Sequence, residues 1–493
     1  MRVRNWGALV GLGLMLAGCG GVPEEDAALP SAVVEDVRRV EAQACPPGVA
    51  ARVKVVIPPT ADPGSEVTSL ANVRGTLYLS TNLRDSSAVL WRSNGTDAGT
   101  VPVREFPPEP LGFPRLTNLV AVGDQVFFQL STVATGTELW VSDGTAAGTH
   151  LVRDLTPGPT GSALLQLTDV GGRLVFFRQT QPTATEPSRT ELWRSDGTSL
   201  GTVRVRDFGA SAGLSFNTLK VGGRMLFFLA QSTGTTLWRT DGTAGGTTSV
   251  KRLDAGLTLI LDVGYSGAQG LFVLLDGPNY EVWRTNGTEA GTARLDSFGR
   301  YTRLLGALGS YVYLWSPDAV TQRLRIDRLA LSGGGKALVT TLPNPYANLE
   351  FATPYVQMSA VSANEIYFSM AINSDGPSPL DVSLWVTNGT AAGTRDLFRQ
   401  LSRSDEYLSP VFATGTGRVL FSGSPEGGIT QPWFTRGTVA TTGQLAGPGV
   451  FSPDGFTRSG SRVYFYAIDD TQRPQLWSVP AIFNCPPGPA TAL

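Results

Sequence analysis

A phrase repeated along this chain constrains it more than any other feature. LWRSNGTDAGT begins at Leu90, LWVSDGTAAGT at Leu139 and LWRSDGTSLGT at Leu192. LWRTDGTAGGT begins at Leu237, VWRTNGTEAGT at Val282 and LWVTNGTAAGT at Leu384. The tryptophans of the phrase are Trp91, Trp140, Trp193, Trp238, Trp283 and Trp385, spaced by 49, 53, 45, 45 and 102 residues. The last gap therefore holds two units. Self-similarity at a period in the forties means stacked copies of one supersecondary unit, so the fold is read from the repeat.

Each unit carries four short stretches rich in Val, Leu, Phe and Thr, bounded by Gly, Asp or Pro, and no helical period is sustained between them. The second stretch (VFFQL, LVFF, MLFFL, LFVLL) is apolar at nearly every position, as in a strand buried on both faces. The fourth often alternates, as in Val203-Arg204-Val205-Arg206, which suits a strand wet on one side. Four antiparallel strands with buried middle strands fit the blade of a β-propeller.

Degenerate copies fill the gaps. Gln322–Leu342 occupies a sixth slot without the Trp or the DGT turn, Gln431–Leu445 an eighth, and Gln475–Pro480 a ninth that stops before any fourth strand. Ala51–Gly64 reads as a fourth strand with no first three before it. The expected fold is all-β: a closed propeller of eight to nine four-stranded blades, its ring closed by an N-terminal strand joining the last blade.

The turn has its own chemistry. Asn94, Asp143, Asp196, Asp241, Asn286 and Asn388 can each accept a backbone N–H two residues on, and the following Gly can take φ > 0. These residues and the six tryptophans are read as structural, the former shaping the turn and the latter wedging between sheets.

The three cysteines fall outside the phrase. Arg2 and Arg4 precede an apolar stretch, Trp6 to Gly18, that is shorter than the ~20 residues needed to span a bilayer, which reads as an export signal. Leu16-Ala17-Gly18-Cys19 resembles a bacterial lipobox, implying a lipid on Cys19 as the membrane partner, and Gly20 after it favours the outer membrane. Cys45 in CPPG and Cys485 in NCPPG bracket the array, and a disulfide between them is expected in an oxidising compartment. Closing so long a loop would contribute roughly 6 kcal/mol as an upper bound. The expected organisation is a signal peptide over 1–18, a tether with a possible short helix over 19–44, the propeller over 45–488 and a tail over 489–493.

Composition narrows function by exclusion. A net charge of −2 disfavours nucleic acid as a partner. The four lysines (Lys54, Lys220, Lys251, Lys336) leave 35 of the 39 basic residues as arginine, a skew read as codon bias. His150 is the one histidine, which removes multi-His metal sites and makes His-based triads improbable. Asn373-Ser374-Asp375-Gly376 with Asp381 departs from a calcium loop in length and in its final residue. No cofactor, metal or catalytic residue is expected. A carboxylate-pair glycosidase needs no histidine, and its best candidates are off-consensus acids such as Asp318, Asp327, Glu350 and Asp381.

The phrase E-L-W-x-S-D-G-T-x-x-G-T, with VGG-x-L-F-F before it and V-x-D-h-x-P-G after it, resembles the ELWxxDGT repeat proteins. These are exported proteins of myxobacteria and relatives, sometimes labelled hyalin-like. The resemblance covers roughly residues 51 to 480 and implies an extracytoplasmic β-repeat protein with no defined activity. The leading expectation is a non-enzymatic scaffold on the outer membrane that binds a protein or a cell-surface glycan. Its candidate loops are Gln179–Thr190, Leu342–Tyr355 and Ser374–Ser383. The alternatives are a carbohydrate-active enzyme and a passive envelope component.

Overall fold

The computed structural model describes residues 48–482, apart from 85, 184, 186, 211, 255–257, 377, 400, 402–409, 425–428 and 446–448. These residues form nine four-stranded antiparallel sheets. The second blade is typical: Arg115–Val122, Gln125–Thr132, Gly136–Ser142 and His150–Arg153 pair in chain order. Eight blades are continuous in this way. The ninth takes Phe451–Ser459, Arg462–Ile468 and Pro474–Pro480 from the C-terminal part and Ala51–Lys54 from the N-terminal part. First strands of most neighbouring blades contact one another, and Glu66–Val73 of the first blade touches those of both the second and the ninth, which closes the ring. The fold is a nine-bladed β-propeller.

The apolar second strands explain why the blades stack. Successive side chains of a strand point to opposite faces. Phe128 therefore packs toward the first blade, with Phe106 and Leu90, while Phe127 packs toward the third, with Leu164 and Phe176. Phe227 and Phe228 divide in the same way between the third and fifth blades. Among the described residues there are nine apolar clusters, one at each junction between adjacent blades. The core is thus distributed between sheets, and each added blade brings its own layer.

The junction in the ninth blade is clasped by polar groups. Ala51–Lys54 pairs antiparallel with Pro474–Pro480, placing Arg52 opposite Trp477. The fully buried Gln475 then holds the chain just beyond that strand. Its Oε1 accepts from the amides of Val56 (2.8 Å) and Ile57 (3.2 Å), and its Nε2 donates to the Ile57 carbonyl (2.8 Å). Arg473 Nε donates to the Ala61 carbonyl at 2.8 Å, and Arg52 meets Asp469 at 2.9 Å and Asp470 at 2.7 Å.

The alternation of strand direction sorts the connections. Links from first to second and from third to fourth strands lie at one face of the ring. Links from second to third strands, and from one blade to the next, lie at the other.

Candidate functional site

The repeated turn lies on the first of these faces and uses its polar atoms on itself. In the second blade, Asp143 Oδ1 accepts from the Thr145 amide (2.8 Å) and hydroxyl (2.7 Å), and Thr145 Oγ1 accepts from the Gly148 amide (2.9 Å). Thr149 Oγ1 donates to the Thr145 carbonyl (2.6 Å) and lies 2.7 Å from Ser142 Oγ. The same Asx bonds form at Asn94, Asp196, Asp241, Asn286 and Asn388. A Cβ on Gly148 would overlap the Asp143 carboxylate, so the second Gly of the phrase is sterically required. The Thr145 hydroxyl, then its amide, holds the Asp143 carboxyl below the usual range. The Thr198 amide and then its hydroxyl do so for Asp196, and the Thr243 hydroxyl leads for Asp241.

The turns of the first five blades are also joints. Arg153, on the last strand of the second blade, donates to the Thr202 carbonyl in the turn of the third (3.0 Å). Arg206 reaches Thr247 of the fourth (3.2 Å), and Lys251 reaches Thr292 of the fifth (2.9 Å). At the closure Lys54 of the ninth blade reaches the Asp97 carbonyl of the first (3.3 Å). Basic residues on fourth strands thus grip the next blade's turn, a use of arginine that composition alone does not reveal. The recurrence of a basic residue in the fourth strands of the first four blades, Arg104, Arg153, Arg206 and Lys251 among them, is the signal that could have exposed it.

The tryptophans lie at the junctions. Trp140 meets Phe106 of the preceding blade edge-on at 5.2 Å, Trp238 meets Phe208 at 5.2 Å, and Trp433 meets Phe398 at 4.5 Å. Four indole N–H groups are satisfied within the blade: Trp91 by Thr81, Trp193 by Glu191, Trp283 by Glu281 and Trp385 by Ser383, all at 2.9 to 3.0 Å, whereas those of Trp140, Trp238, Trp433 and Trp477 are buried with no hydrogen-bond partner among the described residues. Trp433 and Trp477, in the weak eighth and ninth units, occupy the same register, opposite Phe421 and Phe465. In the sixth blade that register belongs to Asp327, opposite Leu314. Asp327 is 2% exposed and is bound by Arg300 (2.7 Å) and Arg325 (2.8 Å). Where the third and fifth blades place Glu two residues before Trp, this blade places Arg two residues before Asp.

The principal cleft lies in the channel wall, where the first strands of the fifth, sixth and seventh blades meet. Its volume is about 540 Å³. Tyr265, Tyr301, Trp315 and Tyr355 line it, with Asp262, Arg303, Gln357 and Met358. The rings are held from behind. Tyr301 packs against Tyr280 (5.5 Å) and Trp315 (5.6 Å), and its hydroxyl accepts from Arg303 Nε (3.0 Å). The Tyr265 hydroxyl accepts from the Lys220 amide at 2.9 Å. Asp262 pairs with Arg303 at 3.1 Å, and its other oxygen accepts from the Leu304 amide at 2.9 Å. Burial pushes the Asp262 carboxyl up, against the pull of Arg303. Gln357 Oε1 is buried and accepts no hydrogen bond among the described residues. All three first strands carry a register shift beside the cleft, at Ile260/Asp262, Leu304/Gly306 and Val356/Met358. A second cavity, of about 390 Å³, shares Met358 and adjoins the first, eighth and ninth blades.

The three segments singled out as candidate loops all belong to the face opposite the repeated turns, because each links a second to a third strand or one blade to the next. Two of them meet: the Asn373 amide donates to the Thr353 carbonyl (3.1 Å), and Asn344 Nδ2 donates to the carbonyls of Gln322 (2.7 Å) and Ala352 (2.6 Å). Tyr301 lies on a blade-to-blade link of that same face. The Tyr301–Tyr355 end of the cleft therefore opens beside the two loops that meet, Leu342–Tyr355 and Ser374–Ser383.

The off-consensus acids do not line the cleft. Asp318 accepts from the amides of Val320 (3.0 Å) and Thr321 (2.9 Å), Asp327 is buried in its ion pairs, Glu350 is an exposed loop residue, and Asp381 lies 3.7 Å from Arg399. The carboxylate that does line it, Asp262, lies on a first strand, outside the repeated phrase. His150 is exposed at the start of a fourth strand. Among the described residues no group of three or more His, Cys, Asp or Glu gathers around a point. Cys19, Cys45 and Cys485 lie outside the described residues, as do the signal, tether and tail segments.

No family model and no curated protein matches the chain. Solved structures similar to it include a prolyl endopeptidase, at 12% identity and a TM-score of 0.41, covering 75% of this chain and 54% of that one. The chain thus spans about half the length of that enzyme. The β-propeller domain of the Trilobed protease from Pyrococcus furiosus is similar at 13% identity and a TM-score of 0.37, covering 66% and 97%. Pyrococcus horikoshii acylaminoacyl peptidase follows at 10% identity and 0.35, covering 65% and 52%. Each of these neighbours is a peptidase or a protease domain, against the expectation of a chain that is not an enzyme, and that expectation is not carried forward. Likeness this distant assigns no reaction to the present chain, and no absence of one.

Proposed function

We propose that this protein is a binding propeller of the ELWxxDGT repeat type, tethered to the outer membrane by a lipid on Cys19. It takes a protein or cell-surface glycan at the face that carries the divergent loops. One observation carries the reading: an aromatic-lined cleft opens beside two irregular loops, Leu342–Tyr355 and Ser374–Ser383, on the face away from the repeated turns. Binding sites gather where loops meet a concave, partly apolar surface on a rigid scaffold. The repeated turns make poor sites because their polar atoms are already used internally and in gripping the neighbouring blade.

The test is cross-linking of the tagged full-length protein in cells, followed by mass spectrometry and membrane fractionation. The expected outcome is an outer-membrane pool and a captured partner, protein or glycan, that is lost when Ser374–Ser383 is shortened. Capture indifferent to that loop, or a Cys19→Ala variant that still fractionates with the outer membrane, would overturn the corresponding half of the reading.

A further inference from the structure

We propose that the cleft between the fifth, sixth and seventh blades binds an uncharged oligosaccharide, with Tyr301 and Tyr265 as stacking platforms and the Gln357 side-chain amide as a hydrogen-bonding partner for its hydroxyls. The inference rests on the binding reading above and deepens it.

Charge sets the ligand's polarity. Among the described residues, the only charged side chains lining the cleft are Asp262 and Arg303, and they neutralise each other at 3.1 Å. An anionic ligand would find no unpaired cation there, and a cationic one no unpaired carboxylate. Surface chemistry sets its class. Tyr265 is 50% exposed and Tyr301 39% exposed, yet both are fixed by hydrogen bonds to their hydroxyls, so each ring offers a pre-oriented face. The C–H face of a pyranose is apolar and slightly positive, which complements the negative face of an aromatic ring. Gln357 also lines the cleft, and a side-chain amide can exchange hydrogen bonds with sugar hydroxyls.

Backbone geometry argues against an extended peptide. A peptide adding to a first strand needs a regular edge of N–H and C=O groups. All three first strands of the cleft are broken by register shifts within it. The stretch from Tyr355 to Val361 along one wall runs roughly 20 Å at about 3.3 Å per residue, which suits a chain of sugars over a single one.

The experiment titrates the full-length protein in detergent with neutral gluco-, manno- and chito-oligosaccharides, their uronate or sulfated counterparts, and uncharged peptides. Binding of at least one neutral series is expected. Tyr301→Ala, Gln357→Leu and Ser359→Trp should each weaken it about tenfold or more, the order of one lost hot-spot contact, and Tyr301→Phe should retain most of it. Ser359→Trp fills the cleft without deleting a contact, so it separates blocking from misfolding. Binding confined to acidic glycans or peptides, neutral binding indifferent to these variants, or no saccharide binding at all would overturn the proposal. If saccharides fail while in-cell capture of a protein still depends on Ser374–Ser383, this inference falls and the broader binding reading stands.

Discussion

At the scale of single residues, Asp and Asn are interchangeable in the turns near neutral pH and unequal in acid. Asp143, Asp196 and Asp241 have carboxyls held below their ordinary range by hydrogen bonds. A depressed folded-state pKa contributes stability above the unfolded value, and that contribution is lost as pH falls through the folded value. Asn94, Asn286 and Asn388 make the same bonds with nothing to titrate. A D143N/D196N/D241N variant should therefore melt with the parent at pH 7 and above it under strongly acidic conditions. Thermal unfolding followed across pH checks this, and coincident curves throughout would refute it. Asp327 behaves differently because it is buried between two guanidinium groups. Asp327→Leu leaves both cations uncompensated and should cost about 2–4 kcal/mol, discounted because both arginines reach solvent. Urea unfolding measures it, and a loss under about 0.5 kcal/mol, the range of a neutral surface change, would show the pair to be dispensable.

At the scale of strands and blades, stability resides between sheets. Phe228 is buried and meets Phe272 of the next blade at 5.0 Å, whereas Phe216, on the first strand of the same blade, is 83% exposed. Phe228→Ala should cost about 3–5 kcal/mol, and Phe216→Ala no more than about 0.5 kcal/mol. Comparable urea midpoints for the two variants would contradict this account of the core. The elements most legible in the sequence are those whose job repeats. Second strands must be apolar on both faces, and turns must place Asx, Gly and Thr in fixed order, so every copy shows the same letters. Even the split ninth blade was readable, because Ala51–Gly64 keeps a fourth-strand pattern without its partners. The cleft was not readable. Asp262, Tyr301 and Gln357 come from three blades or the links between them, and they lie on or beside first strands, where facing the channel imposes no shared pattern. That the sixth unit lacks its Trp was legible, but not that Asp327 takes its register in a buried ion pair, because its partner Arg300 lies outside the repeat phrase.

At the scale of the whole molecule, the ring depends on one short strand and a glutamine. Gln475→Leu keeps the volume but leaves the amides of Val56 and Ile57 and the Ile57 carbonyl without partners in a buried place. A cost of about 2–4 kcal/mol follows from burying such groups unsatisfied. Cleavage around residues 55–64 under limited proteolysis should accelerate ahead of cleavage elsewhere. Unchanged cleavage there would mean that the strand pairing of Ala51–Lys54 suffices as a clasp.

That clasp also sets a timetable. Synthesis runs from the N-terminal end, so Ala51–Lys54 emerges early, and its partner Pro474–Pro480 emerges only after eight blades have been made. Until then each blade can cover its neighbour, but the last interface has no second wall. Contacts so distant along the chain are slow to form. The growing protein is thus an open arc with a sticky strand at one end, and a second arc nearby offers the same unfinished edge. Crowded synthesis should favour exchange of that strand between copies, and spacing the chains apart during refolding should favour closed rings.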